Sequence, residues 1–73
     1  MLLSNLPLKN SGKIIGLTAK GEQRRRLLDL GLIPGTTVMA KRKSPSGAPI
    51  AYLIRGTILA LRKEETDLVE ISP

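Results

Sequence analysis

The chain contains no cysteine, no histidine, no phenylalanine and no tryptophan. Without cysteine there are no disulfides, no thiolate metal sites and no thiol nucleophile, and the composition fits a reducing compartment. Without histidine the commonest transition-metal ligand and the usual general base are missing. No serine stands beside a base, so no catalytic constellation is visible and no enzyme is expected. With Tyr52 as the one aromatic residue, the core has to be aliphatic. No apolar run is long enough to span a bilayer. Leu2-Leu3 gives way at once to Ser4-Asn5, so no apolar signal-peptide region is expected. Together these absences point to a soluble cytoplasmic protein.

What is present fits one domain over residues 1–73. At this size folding buries only about 60% of the surface of the unfolded chain. Stability should be modest unless the domain self-associates weakly or leans on a partner. Net charge is +6, from 12 Lys and Arg against 6 Asp and Glu. Such a balance keeps a small protein soluble. It also suits nucleic acid, an acidic protein or a membrane surface, and charge alone does not choose among them.

The chain divides into short elements. Residues 1–11 form a lead-in, with Leu3, Leu6 and Leu8 as apolar anchors and a turn at Lys9-Asn10-Ser11-Gly12. Lys13 to Ala19 reads as a strand with apolar Ile14, Ile15 and Leu17. Glu22 to Leu30 reads as a helix, with Glu22 suited to its positive end and Glu22–Arg26 and Arg25–Asp29 at i,i+4 spacing. So short a helix is not stable alone in water and must dock its Leu27/Leu30 face. Gly31 is the expected C′ residue, with Leu32 at C″ closing a Schellman cap. Pro34-Gly35 suits a type II turn.

Thr36 to Lys43 is the next strand, with Val38 and Ala40 facing one way and Met39, Lys41 and Lys43 the other. A loop over residues 44–49 leads to a strand from Ile50 to Ile54. Arg55-Gly56 makes a tight hairpin into Thr57 to Leu61. Arg62 to Thr66 forms one polar helical turn, and Leu68 to Ile71 closes the order, with Val69 and Ile71 on one face. The pattern predicts a mainly β protein with one short helix and a helical turn, folded as a small, five-stranded, SH3-like barrel.

These residues closely resemble the FeoA family, small cytoplasmic accessory proteins of bacterial ferrous iron uptake. The resemblance rests on Leu3, Leu6, Ile14, Gly16 and the run Arg26-Leu27-Leu28-Asp29-Leu30-Gly31-Leu32-Ile33-Pro34-Gly35. It continues through Pro45, Gly47 and Pro49, Arg55-Gly56, Ala60-Leu61-Arg62, Glu65, Val69 and Ile71. It implies an SH3-like barrel and a role supporting the FeoB-type GTP-binding membrane permease, at the inner face of the membrane through that partner. Regulating the permease's GTP-binding domain and assembling the complex both stay open. The same module resembles the C-terminal domain of DtxR-like metal-dependent repressors, which keeps a metal-sensing role as an alternative. The family often has an acidic residue where this chain has Ala48, and alanine where it has Thr66, which would loosen packing of the short helix slightly.

The candidate contact residues are Arg24, Arg25, Leu28, Leu32 and Arg55. Arg24 to Arg26 form either a solvated basic face or a contact for an acidic partner surface. Leu28 lies about 100° round the helix from Leu27. Leu28 and Leu32 therefore read equally as core or as interface. Lys41, Arg42 and Lys43 with Arg55 form either a solvated strand face or a second basic patch across a hairpin. No resident cofactor is expected. Weak binding of a divalent metal such as Fe(II) is implied by the pathway, but only Asp and Glu are available as ligands, and Glu64, Glu65 and Asp67 read as polar surface. Nucleic acid is the rival partner, and Tyr52 offers it a lone stacking platform.

Overall fold

A computed structural model describes residues 1–47 and 49–73. A 3-10 turn (Leu3–Asn5) precedes strand β1 (Ser11–Leu17), helix α1 (Gly21–Asp29), and strands β2 (Thr37–Lys43), β3 (Ile50–Ile54) and β4 (Thr57–Leu61). A single turn of helix, α2 (Lys63–Thr66), leads to β5 (Val69–Ser72). The strands form one antiparallel sheet in the order β4-β3-β2-β1-β5. The architecture is the mainly β, five-stranded, SH3-like one that the strand pattern predicts.

Alternation sets the core. Val38, Ala40, Tyr52, Ile54, Leu61, Val69 and Ile71 are all buried, so each strand turns one apolar row inward. Leu3, Leu6, Ile14, Ala19, Leu27 and Leu32 complete the cluster. Where the rows break, a bulge is the cause. The β1–β5 register shifts between Ile14 and Gly16, and Leu17, one place off the Gly12/Ile14 row, packs against the core, while Ile15 points outward at 54% exposure as alternation requires. A second shift, between Ala40 and Arg42, bends β2 at Lys41. Among the lead-in anchors, Leu3 and Leu6 are buried but Leu8 is exposed.

The turns follow their residues. Gly31 has φ +101°. Its N–H reaches the Leu28 carbonyl at 2.9 Å, and the Leu32 N–H reaches Leu27 at 3.1 Å. These two bonds are the Schellman pair. Thr36 N–H then closes on Ile33 at 3.0 Å around Pro34 and a Gly35 at φ +95°. Arg55 and Gly56, at φ +51° and +81°, make the left-handed two-residue turn between β3 and β4.

The second helical turn is less polar than its sequence suggests. Glu65 and Thr66 are buried. Thr66 sends its hydroxyl to the Arg62 and Lys63 carbonyls, each at 3.3 Å, so the hydroxyl has partners inside its own turn. The family position at Ala48 lies outside the described residues.

Candidate functional site

The basic helix and the β3–β4 turn meet at one end of the barrel. On α1, Leu27 is buried and Leu30 packs against the core, which fixes the rotation of the helix. Leu28 is left half-buried, off the apolar stripe. Arg24 and Arg25 precede it by four and three residues, so they share its side of the helix. Both are exposed. Arg24 Nη1 donates to the Leu17 carbonyl at 3.4 Å. Neither forms an ion pair among the described residues, where the two ion pairs are Arg26–Glu65 and Lys63–Asp67.

Arg55 lies at the cap of the same helix. A Cβ placed on Gly31 would lie 3.9 Å from Arg55 Cδ, so the arginine stem runs beside the cap of α1. A cation there suits the negative end of the helix dipole. Ile33, just beyond the cap, is an exposed apolar side chain at 39% exposure. Its position before Pro34 in a surface turn was the available signal for it.

The structure decides three sequence readings. Leu32 is completely buried and belongs to the core, because the Schellman cap folds it back under the helix. It is not a surface contact. The helix does not form the Glu22–Arg26 and Arg25–Asp29 pairs. Arg26 instead reaches across to Glu65 on α2, whose partly desolvated carboxylate is the more demanding partner. Lys41 to Lys43 and Arg55 do not form one patch. Arg42 and Lys43 pair with Ala51 and Ile50, at the opposite end of β3 from Arg55.

Two of the acidic residues near α2, Glu65 and Asp67, are already engaged. Glu65 accepts from Arg26 and, through Oε1, from the Arg62 N–H at 3.1 Å. Asp67 accepts from the Ser4 hydroxyl and, at 2.9 Å, from Lys63 Nζ. The Ser4 bond first, and then Lys63, hold the Asp67 carboxyl below the usual carboxylate range. Among the described residues no three acidic side chains converge as a metal-ligand set, so the donors present do not fit a tight ferrous site. A cleft of about 400 Å³ lies elsewhere, between the lead-in and the barrel. Leu6, Leu8, Ile50 and Leu61 line it, with Lys43 and Lys63 among its walls, and none of the candidate contact residues does.

A family model for the FeoA domain matches residues 1–73. The chain belongs to the FeoA family. A curated relative, the Fe(2+) transport protein A/Fe(2+) transporter FeoB fusion protein of Porphyromonas gingivalis, is 28% identical over 71 residues. The match takes in 97% of this chain but only 8% of that relative's length. The solution structure of iron(II) transport protein A from Clostridium thermocellum superposes with a TM-score of 0.91 at 34% identity, over 97% of this chain and 44% of the other. FeoA from Stenotrophomonas maltophilia, solved with zinc and described as an SH3 domain protein, superposes with a TM-score of 0.85 at 33% identity, over 99% of this chain and 89% of that one. Among the described residues of this FeoA-family chain, no helix is long and apolar enough to cross a membrane.

Proposed function

We propose that this FeoA-family protein takes part in ferrous iron transport as a non-catalytic accessory. In this reading it acts from the cytoplasmic side, by contact with a FeoB-type permease. The observation that carries the reading is the α1 face of Arg24, Arg25 and Leu28, with Arg55 beside the cap of the same helix. It pairs a leucine outside the core with arginines that form no ion pair among the described residues. An apolar anchor with a charged rim is how a small interface gains affinity and orientation. The fusion of an Fe(2+) transport protein A to FeoB in the Porphyromonas gingivalis relative supports the choice of partner.

Leu28→Glu should leave the melting temperature nearly unchanged and abolish permease pull-down and ferrous-iron-dependent growth. Leu27→Glu should unfold the protein, because Leu27 is 1% exposed. Arg25→Glu should weaken association most at low salt, since exposed charges are screened. A Leu28→Glu protein that folds and still binds the permease would place the contact elsewhere.

A further inference from the structure

The two edges of the sheet are treated differently. The β5 edge is covered by the lead-in: Leu2 bridges to Glu70, and the Ile71 N–H donates to the Met1 carbonyl at 2.8 Å. The β4 edge is bare. Among the described residues β4 pairs with β3 alone. Ile54 and Thr57 close a two-residue turn, and in an antiparallel ladder the bonding direction alternates. Thr57, Leu59 and Leu61 therefore face β3, and Ile58 and Ala60 turn their N–H and C=O groups to the open side.

Natural edges are usually blunted by proline, by a charge within the strand or by a bulge. Thr57-Ile58-Leu59-Ala60-Leu61 has none of these, and its register with β3 is unbroken. Ile58 is 47% exposed and continues an outer row with Leu53 and Met39 across β3 and β2. Charge is placed at the two ends instead. Arg55 precedes the strand and Arg62 follows it; both are exposed and neither forms an ion pair among the described residues.

We propose that β4 is a strand-addition site for an extended segment of another protein, with a short apolar, β-branched run between acidic residues. The segment pairs its main chain with Ile58 and Ala60, and its acidic ends meet Arg55 and Arg62. Main-chain bonds supply affinity in this mode, and the flanking contacts supply specificity. A second copy of this chain is the poorer occupant. Antiparallel pairing of β4 with β4 brings the Arg55 end of one copy onto the Arg62–Lys63 end of the other, and facing like charges destabilise a strand pair. The proposal shares Arg55 with the contact site proposed above, but it is read at Ile58, Ala60 and Arg62, which that site does not use, so either can fail without the other.

The probe is a synthetic peptide, Glu-Asp-Val-Thr-Val-Thr-Val-Glu-Asp, added to the isotope-labelled full chain. The expected result is slowed amide exchange at Ile58 and Ala60 and binding that weakens as salt rises. Ala60→Pro removes an outward N–H while leaving the β3 ladder intact, and should weaken binding about ten-fold or more. Arg55→Asn, which keeps the left-handed turn, combined with Arg62→Gln should remove most of the salt dependence. If Ala60→Pro does not fold, the exchange pattern of the unsubstituted chain decides. No binding, protection confined to α1 or the cleft, or unchanged affinity of a folded Ala60→Pro overturns the site. Protection of the same amides without peptide, with a dimer in sedimentation, overturns the acidic occupant.

Discussion

Arg26 on α1 donates to Glu65 on α2, so one ion pair ties the basic helix to the turn that leads into β5. The same carboxylate caps α2 by accepting the Arg62 N–H. The two partners do not share the cost of exposure. The Arg26 side chain is 65% exposed and the Glu65 side chain 10%.

That asymmetry predicts unequal losses. Arg26→Ala should cost at most about 1 kcal/mol, because a largely solvated partner contributes little. Glu65→Ala should cost about 1–2 kcal/mol, since it also uncaps α2. Glu65→Gln should fall between them. Urea midpoints of the three variants check the order; equal losses for Arg26→Ala and Glu65→Ala would mean that the cap contributes nothing.

Gly31→Val should destabilise by at least about 1 kcal/mol, because a β-branched residue resists a φ of +101°. The strain lies in the backbone. The new Cβ would meet Ile54 Cγ2 at an ordinary 3.5 Å. Gly31→Asn should lose less, as asparagine tolerates positive φ better. Paired thermal melts decide the ranking.

Val38→Asp puts an unpaired carboxylate at a position with no exposure and should unfold the protein at neutral pH. Circular dichroism reads the outcome. An unchanged melt would refute the assignment of the inner face of β2.

The pH response should be two-sided. The Asp67 carboxyl is held low by Ser4 and then Lys63, so the unfolded chain takes up its proton first on acidification. Its contribution is present above about pH 4 and is lost as pH falls through the lower folded value. Burial pushes the Tyr52 hydroxyl up, with a hydrogen bond to Thr66 opposing in part. Here the folded chain keeps the proton longer, so stability is complete below about pH 10 and declines as pH rises through the folded value. Asp67→Asn should flatten the acid limb of a melting-temperature profile, and Tyr52→Phe the alkaline limb.

Local chemistry made much of this molecule legible in the sequence. Gly31 and Arg55-Gly56 fall where the turns need them, and strand alternation marks Val38, Ala40, Val69 and Ile71 as core. What sequence could not give was set by docking between distant segments. Leu28 and Leu32 look alike along the chain, and only the path of the Schellman cap separates a half-buried side chain from a fully buried one. Arg26 has a local partner at i,i+4 in Glu22 and a distant one in Glu65; partial desolvation of Glu65 decides for the distant one. A bulge, invisible to period-two reading, lets Leu17 pack against the core although it lies off the Gly12/Ile14 row.

The pairing of β1 with β5, in a register that sets Ile14 against Ile71, bears on synthesis at the ribosome. Val69 and Ile71 are core residues carried by the last strand. A growing chain therefore holds α1 and the β2–β3–β4 meander before it has the strand that seals them. Ile14 waits for its neighbour until nearly all of this sequence has left the exit tunnel. Closure of the barrel is thus a late, non-local step, the kind that sets a slow folding rate. Until it occurs, the apolar rows of β2 and β3 stay open to other chains.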